Sequence, residues 1–369
     1  MRRLFPLLPA LALMAGVVSA IAAEPSDLDL RAWMQPVPVT ARFSVPGYYV
    51  WCGSMVRDER GRCHLFYSRW PKRLGFYAWV THSEIAHAVS EHPLGPYRPV
   101  DVALPPRGKE FWDGLCTHDP TVMRFGANYY LYYMGNTAEH PLGDAPDPAV
   151  MNVERWAQRN HQRVGVAVAD SPDGPWKRMD EPLIAPTPGF ADALCCTDPT
   201  VTARPGGGYV MIYKAVDNRK PLPFGGPVLL VAATSDSPTG PFKKHPEPVF
   251  FKKGVPFAAE DPFIWNDGQR CLAIIKDQGG YYTQQGGKGM SLVLFESPDG
   301  LHWTLAKHPF ITAREITWAD GRHVTLAQLE RPQVWLDHGV PAILFCAADE
   351  SEKLSESFNI HIPLKKPGE

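Results

Sequence analysis

The chain has 369 residues, a length that suits one large β or α/β domain or two domains of ordinary size. Lys and Arg total 37 against 39 for Asp and Glu, so the formal net charge of -2 provides no basic field for nucleic acid, and we expect no nucleic-acid partner. Pro (38) and Gly (31) are abundant while 44% of residues are hydrophobic, which favours a folded, turn-rich β protein over a disordered chain, collagen or a helical bundle.

The first residues have the pattern of a secretory signal peptide. Two arginines precede an apolar run from Leu4 to Val18, and small residues follow up to Ala23. A membrane anchor is the alternative, but the run is shorter than about 20 residues and contains two prolines. We therefore expect residues 1–23 to be removed, residues 24–369 to form the mature domain, and the protein to be secreted or periplasmic with no membrane span.

A hairpin motif recurs along the chain. Each copy predicts a short strand, a turn rich in Gly or Asp, and a second strand of β-forming residues. The four clear copies are HDPTVMRFGANYYLYYMGN from His118, TDPTVTARPGGGYVMIYKA from Thr197, EDPFIWNDGQRCLAIIKDQ from Glu260 and ERPQVWLDHGVPAILFCAA from Glu330, and a weaker copy is CGSMVRDERGRCHLFYSRW from Cys52. When the five copies are aligned, Gly53 occupies the position of Asp119, Asp198, Asp261 and Arg331.

A second strand–turn–strand motif follows each of the first four hairpins, as in VGVAVADSPDGPWKRM and VLLVAATSDSPTGPFKKH. Its Pro and Gly residues favour a tight turn, because Pro restricts φ and Gly adopts positive φ. Each repeat therefore predicts four short antiparallel strands, and five repeats predict an all-β, five-bladed β-propeller. Two separate β domains are the alternative, but no linker or change in composition divides the repeats.

The last repeat has too few residues for four strands. Only the hairpin and the segment SFNIHIPL follow Glu330. We expect the missing strand to come from the N-terminal segment around Ala32 to Phe43, which would close the ring.

The seven cysteines are an odd number, so at least one is unpaired or bonded to another chain. No CxxC spacing suggests zinc or a redox pair, and the adjacent Cys195 and Cys196 could bridge each other only with strain. We expect most of the cysteines to be buried thiols.

Acidic residues recur where the first strand of each repeat begins. The pairs His118-Asp119, Thr197-Asp198, Glu260-Asp261 and Glu330-Arg331 would bring acidic groups from four blades toward the propeller axis, where carboxylates shift one another's pKa values. Asp113 and Asp192, which precede two of these pairs, are expected to join the cluster. The alternative is that Asp before Pro only initiates a turn. Glu260 and Glu330 occupy the position that holds His118 and Thr197 in two other repeats, so an acid is not a constant feature of this position.

Further residues could bind a ligand at the same mouth of the channel. Arg69, Lys214 and Lys276 end the second strands of three hairpins and would suit an anionic sugar or phosphate, or they could form a solvated rim. Trp51 is one of several tryptophans near strand openings that could stack on a sugar or pack between blades. The longest insertion, NTAEHPLGDAPDPAVMNVERWAQRNHQ, could wall off one mouth, act as a lid or form an interface.

These repeats, with their DPTV, YYLYY and SPDGPW motifs, resemble the five-bladed propeller glycosidases of glycoside hydrolase family 43 and its relatives such as family 117. The resemblance implies a glycoside hydrolase that cleaves a plant or algal polysaccharide or oligosaccharide with inversion. It implies an Asp general base, an Asp that tunes the acid, and a Glu general acid, which fall on Asp119, Asp198 and Glu260. No cofactor is required, and a structural calcium ion is compatible with the resemblance.

The first repeat departs from the family pattern, because Cys52-Gly53-Ser54 stands where the family has its base Asp. Either the roles have moved one blade along, or the first blade contributes another residue such as Glu84. The alternatives are an anhydrogalactosidase-like or phosphorolytic propeller, or a non-catalytic carbohydrate-binding propeller. The expected partner is a carbohydrate, either neutral or anionic, and the oligomeric state is left open. The residues expected to bind it are Asp113, His118, Asp192, Glu330, Arg331, Lys214, Lys276, Trp51 and Arg69.

Overall fold

The computed structural model describes residues 26–143, 146–284 and 289–368. The predicted signal peptide lies outside the described residues. Within these ranges the chain forms 22 β-strands, three short 3-10 turns and three α-helices. The helices are α1 (Leu30–Trp33), α2 (Trp79–His82) and α3 (Pro148–Asn160).

Twenty of the strands form five four-stranded antiparallel sheets. Blade I comprises β2 (Tyr48–Arg57), β3 (Cys63–Pro71), β4 (Glu84–Ser90) and β5 (Arg98–Leu104). Blade II comprises β6 (Cys116–Phe125), β7 (Asn128–Asn136), β8 (Arg163–Ala169) and β9 (Lys177–Arg178). Blade III comprises β10 (Cys195–Ala203), β11 (Tyr209–Val216), β12 (Val228–Ser235) and β13 (Lys243–Val249).

Blade IV comprises β14 (Ala259–Asn266), β15 (Cys271–Asp277), β16 (Ser291–Ser297) and β17 (Thr304–Thr312). A small hairpin of β18 (Glu315–Thr317) and β19 (His323–Thr325) follows it. Blade V combines β20 (Gln328–Asp337), β21 (Val340–Asp349) and β22 (Phe358–Pro363) with β1 (Arg42–Phe43). The predicted all-β, five-bladed propeller with four antiparallel strands per blade is confirmed.

The ring closes through β1, as predicted. Arg42 pairs with Ile360 and Phe43 with Asn359, so the N-terminal strand completes blade V from the outside. The Phe43 ring packs edge-on against Tyr67 of blade I at 4.8 Å between ring centroids. One short strand therefore joins the last blade to the first.

The blades are held together by apolar side chains on the second and third strands. Tyr132 on β7 and Tyr213 on β11 are fully buried and share one core cluster with Val166 and Met211. Strands that are covered on both faces are almost uniformly apolar, which is why the YYLYY and VMIY segments lack strict alternation of polar and apolar residues.

All five inner strands contain a β-bulge at the same place. The register shifts within β2, β6, β10, β14 and β20, and one residue in each bulge adopts a left-handed backbone that non-glycine residues rarely take. These residues are Cys52 (φ 55°), Asp119 (φ 54°), Asp198 (φ 53°), Asp261 (φ 53°) and Arg331 (φ 52°).

The bulges correct the alignment of the first repeat. Cys52, and not Gly53, is the counterpart of Asp119. Positive φ is usually a glycine conformation, so the sequence favours Gly53 at this position. In the structure, however, Cys52 adopts the positive φ. Gly53 is instead needed for space, because a Cβ atom there would lie 2.8 Å from the Asn359 side chain.

All seven cysteines lie in the described ranges, are buried and form no disulfide, as expected. In the part of the chain that the structure describes, no helix is long and apolar enough to cross a membrane.

Replacing Phe43 by Ala tests the closure of the ring. Phe43 is 4% exposed and packs between blades V and I, so we expect its truncation to lower the free energy of unfolding by about 3–5 kcal/mol. Urea denaturation followed by tryptophan fluorescence measures this. Val39→Ala, at a residue that is 64% exposed in the same segment, is the control and should leave the stability unchanged.

Candidate active site

The five bulge residues meet on the propeller axis, where one guanidinium faces three carboxylates. Arg331 Nη1 lies 3.2 Å from Asp198 Oδ1 and 3.4 Å from Asp261 Oδ1, and Arg331 Nε lies 3.5 Å from Asp119 Oδ1. The Arg331 backbone N–H also donates to Asp261 Oδ2 at 3.2 Å. These four side chains are at most 5% exposed, so their charged groups have almost no contact with water. The charge of each group must therefore be stabilised by the others.

A threonine hydroxyl links two of these carboxyl groups. Thr197 Oγ1 lies 3.0 Å from Asp119 Oδ2 and 3.0 Å from Asp198 Oδ1. The hydroxyl has one proton to donate, so both contacts are hydrogen bonds only if one of the two carboxyl groups carries a proton.

The pKa values of these two carboxyl groups shift in opposite directions. Burial and the nearby Asp119 raise the pKa of Asp198 despite Lys214. Burial also disfavours the charged form of Asp119, but Arg331 outweighs it and lowers the pKa of Asp119. Asp198 therefore takes up a proton more readily than Asp119, although Arg331 and Lys214 contact its two oxygens.

Two lysines surround Glu260 at the mouth of the channel. Lys276 Nζ lies 2.8 Å from Glu260 Oε1 and also contacts Glu330. Lys214 Nζ lies 3.1 Å from Glu260 Oε2 and 2.7 Å from Asp198 Oδ2. Lys214 and Lys276 occupy equivalent positions of β11 and β15 and face a common space, one of the two interpretations that the repeat allowed.

Glu260 is ionised in the free protein. Burial raises its pKa, but Lys276 and Lys214 outweigh burial and bring the pKa down to about 2. The side chain keeps 14% of its surface exposed, and Glu330 keeps 19%. These two carboxylates are thus more open to the channel mouth than Asp119 or Asp198.

An aromatic pocket of about 230 Å³ adjoins Glu260. The insertion between β7 and β8 forms one side of the pocket. It contains α3, which begins after Asp147, whose side chain accepts a hydrogen bond from the Ala149 N–H. Trp156 on this helix lines the pocket. Its lining includes Tyr77, Trp79, Trp156, Phe224, Phe257, Arg155, Arg159, Lys214 and Glu260.

His118 lies beneath this pocket and not in it. Its ring is 3% exposed and stacks on Trp79 at 4.9 Å between ring centroids. The Ser83 hydroxyl contacts Nδ1 at 2.7 Å, and burial lowers the pKa of His118 to about 3, so the ring is neutral. His118 therefore supports Trp79, which forms one side of the pocket.

Asp113 and Asp192 do not join the carboxylate cluster. Both are fully buried and accept hydrogen bonds from middle-strand tyrosines, Asp113 from Tyr133 at 2.7 Å and Asp192 from Tyr213 at 2.8 Å. Asp113 also pairs with Arg107. These contacts fix the loops that lead into β6 and β10, so the recurring Asp in FWDG and FADA has a structural role.

Trp51 and Arg69 also lie away from the aromatic pocket. Trp51 is 5% exposed and packs edge-on against Phe76, so it belongs to the core of blade I. Arg69 lines a separate cavity of about 310 Å³ and donates to Glu84 at 2.9 Å.

Most of the residues that line the pocket have no signal in the sequence repeats. Trp156, Arg155 and Arg159 belong to the long insertion, whose length indicated a wall at one mouth but not which side chains face inward. Phe224 comes from a loop of blade III for which no repeat position exists.

The axis does not fit the structural calcium ion that the family resemblance allowed. Oxygens of Asp198, Glu260 and Asp261 lie within 4.8 Å of one another. However, Arg331, Lys214 and Lys276 already direct positive groups at these oxygens, and calcium needs six to eight oxygen ligands. The guanidinium supplies the positive charge at the axis.

Comparison with solved structures identifies the same fold in glycoside hydrolases. A family 117 glycoside hydrolase from the marine bacterium Zobellia galactanivorans shares 18% identity with a TM-score of 0.59, over 90% of this chain and 89% of that chain. A protein described as a glycoside hydrolase shares 14% identity with a TM-score of 0.62, over 91% and 93%. An arabinanase from Bacillus subtilis shares 11% identity with a TM-score of 0.54, over 86% and 94%.

These matches confirm the expected resemblance in fold to the family 43 and family 117 propellers. No family model and no curated protein matches the sequence.

Replacing Arg331 by Met tests whether the guanidinium holds the axis together. Removing it leaves three buried acidic groups without their shared cation, so we expect the free energy of unfolding to fall by about 3–5 kcal/mol at neutral pH. Chemical denaturation measures the change. The exposed Arg60→Met variant is the control, and an Arg331→Met protein as stable as the wild type would contradict the interpretation.

Proposed function

We propose that the chain is an exported glycoside hydrolase that binds a sugar in the aromatic pocket and cleaves its glycosidic bond beside Glu260. The observation that carries the proposal is that Glu260 lines the same pocket as Trp79 and Trp156. Aromatic rings suit the apolar faces of sugars, and glycoside hydrolysis needs carboxyl groups beside the scissile bond. The glycoside hydrolases that share the fold support the same reaction class.

Glu260 is the proposed general acid, with Asp198 setting its protonation state. Lys214 contacts both carboxyl groups, and oxygens of the two lie within 4.8 Å of each other. In the free protein burial raises the pKa of Asp198, while Lys276 and Lys214 keep Glu260 ionised. When a sugar displaces an ammonium group from Glu260, the charge that lowers its pKa is lost, and Glu260 can take up the proton that it donates to the leaving oxygen.

The carboxylate that activates water is proposed to be Glu330. Lys276 bridges it to Glu260, so both groups face the same mouth. Asp119, the base implied by the family resemblance, is 4% exposed, and its oxygens contact Cys52, Thr197 and Arg331. A substrate water has better access to Glu330, and Asp119 is assigned to holding Thr197 and the axis.

Glu260→Gln is expected to lower kcat on natural oligosaccharides by about 100- to 10,000-fold, because the amide cannot donate a proton to the leaving oxygen. Aryl glycosides with strongly acidic leaving groups need no such proton, so the same variant should retain most of its activity on them. Initial rates on a panel of plant and algal oligosaccharides and matched dinitrophenyl glycosides measure both effects.

Two companion variants make this experiment decisive. Glu330→Gln should lose turnover and recover part of it with azide, an anionic nucleophile that replaces the activated water. Glu352→Gln, at an exposed position, is the control. Equal loss on both substrate classes would exclude Glu260 as the acid, and binding of oligosaccharides by the wild type without any turnover would leave a carbohydrate-binding propeller.

The substrate is proposed to be an anionic sugar, such as a uronate or a sulfated unit. The lining of the pocket contains three cationic side chains, those of Arg155, Arg159 and Lys214, and one carboxylate, that of Glu260. The Arg155 guanidinium lies 5.4 Å from the Trp156 ring centroid, which holds it beside a ring suited to stacking on a sugar. Arginine binds carboxylate and sulfate groups through paired N–H donors.

Arg155→Met is expected to raise KM for an anionic oligosaccharide several-fold while leaving kcat and the KM for a neutral analogue nearly unchanged. Methionine keeps much of the apolar contact with Trp156 but removes the charge. Steady-state kinetics on a uronate substrate and its reduced, neutral counterpart measure this. An equal rise in KM for both substrates would show that Arg155 acts by packing alone.

A further inference from the structure

A second cavity lies on the side of the propeller, between the outermost strands of blades III and IV. We call it the side groove, and its volume of about 710 Å³ lies within the range of about 300–1,000 Å³ that is typical of ligand sites. Residues 245–252, at the end of β13 and just beyond it, form one side. Residues 301–305, which lead into β17, form the other side, and Tyr282 also contributes to the lining.

Aromatic rings in the side groove are held in place by the protein. Phe250 is 7% exposed, and its ring centroid lies 4.7 Å from that of Phe295 and 5.1 Å from that of Trp303. Trp303 is partly exposed, and its Nε1 donates to the Gly300 carbonyl at 3.0 Å. The Tyr282 hydroxyl donates to the Phe250 carbonyl. Because these rings are fixed before a ligand binds, a ligand that stacks on them loses little free energy to their ordering.

The exposed part of the side groove combines apolar surface with hydrogen-bonding groups. Phe251 is 52% exposed and Leu305 is 40% exposed. Glu247, Lys252 and His302 line the same cavity and offer both acceptors and donors. A sugar unit has apolar C–H faces and hydroxyl groups that donate and accept, so it matches both kinds of surface. A protein partner would favour a core from which charged residues are depleted.

The register of blade III connects the side groove to the aromatic pocket. Lys214 on β11 pairs with Leu230 on β12, which pairs with Val249 at the end of β13. Neighbouring strands are about 4.8 Å apart, so the backbone of Val249 lies about 10 Å from that of Lys214. Residues 250–257 continue from this end of the groove to Phe257 in the lining of the aromatic pocket. The two cavities therefore meet the same edge of blade III.

We propose that the side groove binds a distal part of the carbohydrate chain whose reacting unit occupies the aromatic pocket. This inference rests on the proposed function, which makes a carbohydrate the ligand. Lys252 in the lining and the exposed Lys253 beside it provide two ammonium groups for a chain with acidic units, against the carboxylate of Glu247. A chain that occupies both cavities binds more tightly than a short one, because its second contact forms within the complex.

The dependence of affinity on chain length tests the side groove. Isothermal titration on the Glu260→Gln background uses the disaccharide and the octasaccharide of oligogalacturonate, alginate and ι-carrageenan. In at least one series we expect the octasaccharide to bind at least about tenfold more tightly than the disaccharide. Phe251→Ala and Trp303→Ala should each weaken octasaccharide binding by about five- to tenfold and leave disaccharide binding within about twofold.

Val100→Ala, at a residue that is 48% exposed on the outermost strand of blade I, is the matched control and should bind the octasaccharide unchanged. Phe251 is more than half exposed, so Phe251→Ala should keep the Tm of the parent protein and its result does not depend on folding.

The proposal is overturned if both groove variants bind the octasaccharide as tightly as the parent, or if no octasaccharide binds more tightly than its disaccharide. A dimer in sedimentation that Phe251→Ala converts to a monomer would assign the groove to a second copy of the chain and overturn it as well. The proposed function fails separately if the wild type cleaves none of these oligosaccharides. Binding that depends on chain length and on Phe251 would then still support the side groove, as part of a carbohydrate-binding propeller.

Discussion

The contact between Arg331 and three aspartates on the propeller axis is the interaction on which the other features depend. Each blade contributes one residue to this centre, and each residue reaches it from a bulge with left-handed φ. Because these side chains are almost completely removed from water, their charges must balance locally. Arg331 of blade V and Lys214 of blade III supply two positive charges against the acids of blades II, III and IV, and burial beside Glu260 raises the pKa of Asp261 to about 8. The charge balance therefore links blades that are distant in sequence.

The lysines at the mouth extend this balance toward the pocket. Lys214 joins the axis to the pocket because its ammonium contacts both Asp198 and Glu260. The protonation of Asp198 and the negative charge of Glu260 are therefore coupled, and any ligand that changes one of them changes the other. The electrostatics of the pocket cannot be separated from those of the core.

The repeats were sufficient to predict the architecture because strand, turn and strand have local signals that recur in each blade. The closing strand was predictable by counting, since blade V was one strand short. The convergence of Asp119, Asp198 and Glu260 was also predictable, because equivalent positions of a propeller meet at its axis. The offset between Gly53 and Cys52 was not, since a strained cysteine in a bulge has no sequence signature that distinguishes it from a neighbouring glycine.

Other parts of the site depend on contacts that have no repeat. Asp113 and Asp192 recur in the sequence, which suggested a catalytic role, but each of them accepts a hydrogen bond from a tyrosine on the second strand of its blade. Trp156 and Arg155 occur once, in an insertion, and their direction is set by the packing of α3 against the blades. The residues that repeat along the chain therefore belong mainly to the scaffold, whereas many residues of the pocket lie in the insertions between repeated segments.

The strand that closes the ring has a consequence for how the protein is made. A ribosome synthesises β1 before the other 21 strands described above and β22 after them, yet these two strands pair with each other. The individual blades can form as hairpins while the chain emerges, but the circle cannot be completed until β22 has been synthesised. Until then the outer edge of blade V and the side of blade I that packs on Phe43 are uncovered, so the interval before closure is when the chain is most exposed to aggregation and to proteases.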